Sequence, residues 1–163
     1  LKNSELYEDT TNGFSFRFPH IWDFIVQDTD LAIRNEQFTV GVNLVGEPST
    51  AVGVIVQERS IQDSVDSKQL LVDIQQKLTA ELTEFTLLKS KTKKYAGYSV
   101  LDIEYTQQRS AKAYVQQRQR IFVTDEKVYI ISGTSLIVNY PQRQKDINHI
   151  LDSFQIFPVT PAS

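Results

Sequence analysis

The chain reads as an α+β domain built around a twisted antiparallel sheet. Three observations predict this: the strict alternation of Phe14, Phe16 and Phe18 with Ser15 and Arg17, two stretches with apolar residues at spacings of three and four, and an element order of strands, helix, strands, helix, strand. That order lacks the strict βαβ alternation of a parallel, doubly wound sheet. Antiparallel pairing is therefore expected, with both helices packed on sheet faces. At 163 residues and 40% hydrophobic, the chain can close one core and is too short for two comfortable ones. A single domain over residues 1–163 is expected, with its core at about 7–157 and a frayed tail at 158–163 marked by Pro158, Pro161 and small residues.

The elements follow in order. Asn12-Gly13 reads as a hairpin turn into the phenylalanine strand, which Pro19 ends. A second extended stretch runs from Trp22 to Val26, and Phe38, Val40, Val42 and Leu44 alternate up to a turn at Gly46-Glu47-Pro48-Ser49. Val52 to Gln57 supplies the next strand. Asp66 or Ser67 opens a helix, with Gln69 placed as a capping-box partner and Leu71, Ile74, Leu78 and Leu82 forming a stripe that must face the sheet. Trp22 is expected to anchor against this helix, Asp66 to Thr83, as a buried aromatic. A lysine-rich connection then leads to a meander of three strands, Ser99 to Thr106, Tyr114 to Val123 and Val128 to Ser135, the last two joined by Thr124-Asp125-Glu126-Lys127. Pro141 starts a second helix whose Ile147, Ile150, Leu151 and Phe154 share a face, and Ser153 to Phe157 is read as a closing strand.

Composition narrows the chemistry. There is no cysteine, hence no disulfide framework, thiolate metal site or cysteine nucleophile. The absence of methionine, with Leu1 first, reads as a fragment whose natural start lay upstream, where a signal or lipid anchor could have been removed. No apolar run approaches the roughly 18 to 20 residues needed to span a bilayer, so the expectation is a peripheral or lipid-anchored protein. The net charge of -3 conceals an asymmetry: residues 1–66 carry 4 basic and 11 acidic side chains, and residues 85–127 carry 9 basic and 4 acidic. A bipolar surface of this kind steers a charged macromolecular partner.

Enzymatic motifs are missing together: H-E-x-x-H, P-loop, G-x-G-x-x-G and G-x-S-x-G are all absent. His20 with Asp23, and His149 with Asp146 or Asp152, are the weak metal candidates, and no cofactor or tightly held structural metal is expected. Asp102 and Glu104 lie two apart on one strand and point the same way, which suits acid–base work or Ca²⁺. A solvent-facing strand with Arg or Lys across from it explains the pair better, because cross-strand charge pairing is common on antiparallel sheets. Lys89, Lys91, Lys93 and Lys94, together with Arg118 and Arg120, form the candidate basic patch for an acidic protein partner at a membrane surface. Glutamines flank the two arginines, so both are expected to be hydrated. Overall acidity argues against nucleic acid.

The run Asn12-Gly13-Phe14-Ser15-Phe16-Arg17-Phe18-Pro19-His20-Ile21-Trp22 resembles the N-terminal signature of the PsbP family, a Gly-Phe strand running into Pro and then Trp. Ala96-Gly97-Tyr98 leading to Asp102-Ile103-Glu104-Tyr105, then Lys127-Val128-Tyr129-Ile130-Ile131-Ser132-Gly133-Thr134, then Ile150-Leu151-Asp152-Ser153-Phe154, resemble its later blocks, over roughly Tyr7 to Phe157. The resemblance implies an α/β/α sandwich around an antiparallel sheet. It further implies a monomeric, non-catalytic accessory protein of the thylakoid lumen or of the periplasm and cell envelope, working by contact with a larger complex such as photosystem II. An envelope lipoprotein with an unrelated ligand-binding or stress role, and a carboxylate enzyme using Asp102 and Glu104, are the alternatives. Metal ligands do not carry over from the family.

Overall fold

The computed structural model describes residues 3–25, 39–59, 67–81 and 85–158. Ten strands and two helices are seen there: β1 (Ser4–Asp9), β2 (Phe14–Pro19), β3 (Trp22–Phe24), β4 (Val40–Leu44), β5 (Glu47–Glu58), α1 (Ser67–Glu81), β6 (Phe85–Tyr95), β7 (Tyr98–Ser110), β8 (Ala113–Val123), β9 (Lys127–Leu136), α2 (Tyr140–Asp152) and β10 (Gln155–Ile156). Every pairing is antiparallel. Seven strands form one sheet in the order β3-β4-β5-β9-β8-β7-β6, and β1, β2 and β10 form a second, smaller one. The phenylalanine strand thus lies outside the large sheet, a division that alternation alone does not reveal.

Neighbouring residues on the central strands bury on opposite sides, as expected for a sheet covered on both faces. Leu101, Ile103, Tyr105, Ile121 and Val123 pack with Leu71 of α1. Val100, Phe122, Tyr129 and Ile131 face the other way, into a larger core with Phe14, Phe16 and Phe18 of β2 and Ile147, Ile150 and Leu151 of α2. Gly133 on β9 sets how closely α2 approaches, because a Cβ there would collide with the Ile147 Cγ2 methyl. Tyr129 ties the layers together: its hydroxyl donates to the Asn12 carbonyl at 2.7 Å, and burial pushes its pKa up to about 12. At the far end of α2, Ser153 Oγ accepts the Arg17 amide at 2.8 Å.

Several local expectations change. Trp22 is buried, but in the core under α2 and not against α1, since it enters with β3 on the face opposite to Leu71. The hairpin into β2 is a four-residue turn, Thr10 to Gly13, in which Asp9 Oδ1 accepts the Asn12 amide at 2.8 Å, so Asn12-Gly13 is only its second half. The turn before β5 is tighter than expected, Val45-Gly46, with Gly46 at φ +83°. Pro48 sits in the irregular start of β5, where no ladder donor is needed. Gln69 Nε2 donates to Asp73 Oδ1 at 2.9 Å, one turn along α1, instead of closing a capping box. The lysine-rich segment is a strand, β6, at the edge of the large sheet. The readings placed on Val26, Phe38, Asp66, Leu82, Thr83 and Pro161 fall outside the described residues.

Candidate functional site: a charged sheet edge

Toward the β6 side, the α2 face of the large sheet changes from apolar to ionic. The register places Lys89 opposite Glu104 and Lys91 opposite Asp102, and on the next strand Glu104 opposite Arg118 and Asp102 opposite Arg120. Two rows of alternating charge therefore cross β6, β7 and β8. Side chains of directly paired residues share a face, so this alternation is favourable pairwise.

The strongest contact within the array, from Arg118 to Asp102, runs diagonally. Arg118 donates to both oxygens of Asp102, Nε to Oδ1 at 3.1 Å and Nη2 to Oδ2 at 2.8 Å, and its Nη1 donates to Asn148 Oδ1 of α2 at 2.6 Å. Arg120 pairs with Asp152 of α2 through Nη1 at 2.7 Å and approaches Asp102 Oδ2 at 3.5 Å. Lys93 Nζ lies 3.8 Å from the same oxygen. Glu104 accepts Gln116 Nε2 at 2.8 Å. Asp102 is only 2% exposed. Burial alone would raise its pKa, but the Arg118 hydrogen bonds and the charges of Arg118, Arg120 and Lys93 outweigh this and hold it below the ordinary carboxylate value. Burial, and next the Glu104 charge, pushes the Tyr140 hydroxyl at the start of α2 well above its ordinary range.

This corrects two expectations. Arg118 and Arg120, at 13% and 7% exposure, are internal: α2 covers them and supplies Asn148 and Asp152 as partners. They are not the hydrated side chains expected of them. Asp102 has the cross-strand cations expected of it but faces the protein interior and not solvent, with its pKa held below the ordinary carboxylate value. The four lysines divide as well. Lys93 is partly drawn inward toward Asp102, whereas Lys89, Lys91 and Lys94 are exposed and have no ion-pair partner among the described residues.

The metal candidates do not converge. His20 Nδ1 lies 3.3 Å from the Asn3 carbonyl, the Asp23 carboxylate is turned to the Phe24 amide, and His149 sits in the last turn of α2. Among the described residues no three His, Cys, Asp or Glu side chains group as metal ligands do. A feature that the sequence does not announce is a cleft of about 640 Å³ at one end of the sheet, between the β6–β7 turn, the Thr124–Lys127 loop and the segment after β10, lined by Lys94, Tyr98, Thr124, Lys127 and Phe157 among others. No helix among the described residues is long and apolar enough to cross a membrane.

Comparison with known proteins places this architecture. The solved structures it resembles include cyanobacterial PsbP (CyanoP) from Synechocystis, with a TM-score of 0.63 and 12% identity over 96% of this chain and 94% of that one. LpqN, involved in cell envelope biogenesis of Mycobacterium tuberculosis, gives 0.67 and 12% over 96% and 91%. The Ran-binding protein Mog1p of Saccharomyces cerevisiae gives 0.55 and 13% over 94% and 95%. At these identities the likeness is one of fold. No curated protein matches the sequence significantly. The sequence model of the PsbP family, however, matches residues 2–156, nearly the whole length, and with the fold in agreement the chain belongs to the PsbP family.

Proposed function

We propose that this chain is a monomeric, single-domain, non-catalytic accessory protein that docks through the β6 edge onto an acidic surface of a larger complex at a membrane, outside the cytoplasm. The observation that carries the reading is a contrast in charge satisfaction: the arginines on the α2 face are paired internally, whereas Lys89 and Lys91 on that face, and Lys94 on the opposite one, are exposed with no counter-ion among the described residues. Unpaired surface cations of one sign accelerate association with an acidic partner and make it sensitive to salt. Membership of the PsbP family supports photosystem II in a photosynthetic source, as an extrinsic or assembly partner on the lumenal side. The fold shared with LpqN is the observation behind a second reading, an envelope lipoprotein outside photosynthesis.

The test is capture of the native complex from source membranes by the wild-type protein and by a K89E/K91E/K94E variant, at low and high salt. Lys93 is left in place because it faces Asp102. Wild-type capture should weaken with salt, and the variant should capture poorly even at low salt while keeping a native circular dichroism spectrum. Equal capture by a folded variant under both conditions overturns the docking site.

A further inference from the structure

We infer that the outer edge of β6 receives an extended acidic segment of the partner as an added strand; the inference deepens the docking reading above and rests on it. The sheet has two edges of very different kind. At one end β3 is three residues long, short enough to offer little to a pairing strand. At the other, β6 runs for 11 residues without Pro or Gly, and it is the terminal strand among the described residues. Its one irregularity, at Leu88, lies near the start, so Lys89 to Tyr95 holds seven residues in unbroken register with β7.

The tight turn that follows shows which backbone groups remain unused. Tyr95 pairs with Tyr98 across a two-residue turn, with Ala96 at φ +49° and Gly97 at φ +85°, the type I′ geometry in which the closing residues form the hydrogen-bonded pair. Along an antiparallel ladder the bonding alternates, so Lys93, Lys91 and Lys89 direct their N–H and C=O groups inward to β7. Lys94, Thr92 and Ser90 direct theirs outward. The edge therefore presents a row of donors and acceptors in the arrangement a new strand would pair with.

The side chains specify what kind of strand. Lys89, Lys91 and Lys93 repeat every second residue, roughly 7 Å apart, which is also the spacing of carboxylates at alternate positions of an extended chain. The charge sequence across the sheet is positive on β6, negative on β7 and positive on β8. An acidic strand beyond β6 continues that alternation by one step. The same lysines repel the β6 edge of another copy of this chain, so the edge stays open to a heterologous segment without pairing with itself. Exposed Leu87 and Leu88 at one end and Tyr95 at the other give an apolar residue of the incoming segment somewhere to rest.

The probe is a fluorescein-labelled nine-residue peptide of alternating Glu and Thr. It is compared with a peptide of the same composition whose Glu residues are clustered, and with the alternating peptide N-methylated on every second amide. Anisotropy titrations should give the alternating peptide an affinity about tenfold higher than either control, a difference on the order of one backbone hydrogen bond or a little more. Amide exchange should slow at Ser90, Thr92 and Lys94. Thr92→Pro, which removes one outward donor, should abolish the preference with an unchanged melting temperature; should that variant not fold, the N-methylated peptide decides alone. Equal, salt-sensitive binding of all three peptides overturns strand addition and leaves charge-driven docking standing. Binding of none of the three also overturns strand addition, whereas failure of the docking site itself is read separately from membrane capture by K89E/K91E/K94E. The other candidate occupant is β1 of a second copy, an edge strand carrying exposed Glu5 and Glu8. Concentration-dependent sedimentation in the absence of peptide, lost in E5K/E8K, assigns the edge to that copy and overturns the inference.

Discussion

The α2 face of the large sheet holds two regions built from the same strands. In one, Val52, Val54, Ile131, Phe122 and Val100 lie under the phenylalanines of β2 and the apolar side of α2. In the other, a few residues further along β7 and β8, Asp102, Arg118 and Arg120 are nearly as well buried but are held by ion pairs and by Asn148 and Asp152. The first region stabilises by area removed from water and tolerates a change of hydrophobic shape. The second gains little net energy from its pairs but is costly to disrupt, because a charge deprived of its partner there stays desolvated. The contrast separates what holds the fold from what sets the geometry at its edge: Asp102 is shared by Arg118, Arg120 and Lys93, and so fixes the strand that carries the exposed lysines.

The largest effect is expected in the apolar region. Trp22→Ala removes a side chain that is 2% exposed and should lower stability by about 3 to 5 kcal/mol in urea denaturation. A loss below about 1 kcal/mol would mean that the indole is not part of the α2 core. Its Nε1 has no hydrogen-bond partner among the described residues, so the loss comes from packing.

Asp102→Asn addresses the ionic region and should cost about 3 kcal/mol at neutral pH, since two arginines are left without their shared anion. The pH dependence identifies the cause. Because the folded-state pKa of Asp102 is depressed, its contribution is fully present above the unfolded value of about 4 and is lost as pH falls through the folded value. Wild type and variant should therefore converge in stability on acidification. A gap that stays constant down to about pH 2 would show that the loss is one of shape and not of charge. Glu47, whose pKa is lowered by its hydrogen bonds from Arg143 and Thr50, titrates in the same direction in both proteins and leaves the difference untouched.

How far these regions were legible in the sequence follows from the same division. The apolar region announces itself: Phe14, Phe16 and Phe18, and the stripe Ile147, Ile150, Leu151, carry their burial in their spacing. The ordered blocks of the PsbP family lie largely on these elements and on the meander. The ionic region does not, because Arg118 and Arg120 alternate with Gln117 and Gln119, and a strand with no apolar period on either side reads as solvated. Their burial is imposed by α2, about 30 residues away in sequence, which no local pattern reports. β6 escapes a local reading for the opposite reason. Most of its side chains face water, so selection for a core left no alternation to read, only lysines at every second position from Lys89 to Lys93. That spacing was the available sign of a strand, hidden by the extra lysine at position 94.

The smallest effect on stability should come from the lysines themselves, and its smallness is informative. If Lys89, Lys91 and Lys94 are free of partners, each change to Glu should move stability by no more than about 0.5 kcal/mol, and by less as salt is raised. Lys93→Ala provides the internal comparison. It removes one of three cations around Asp102 but leaves the bidentate Arg118 contact, and at 36% exposure its ion pair is screened, so the cost should also stay below about 1 kcal/mol. Thermal melts of the four single variants at low and high salt check this ranking. If any of Lys89, Lys91 or Lys94 costs more than Lys93, that lysine is engaged in holding the fold, and the docking surface must shrink to those that are not. If all three are neutral, their presence on a long, unbroken edge strand has no explanation in stability, and the surface is left to a partner.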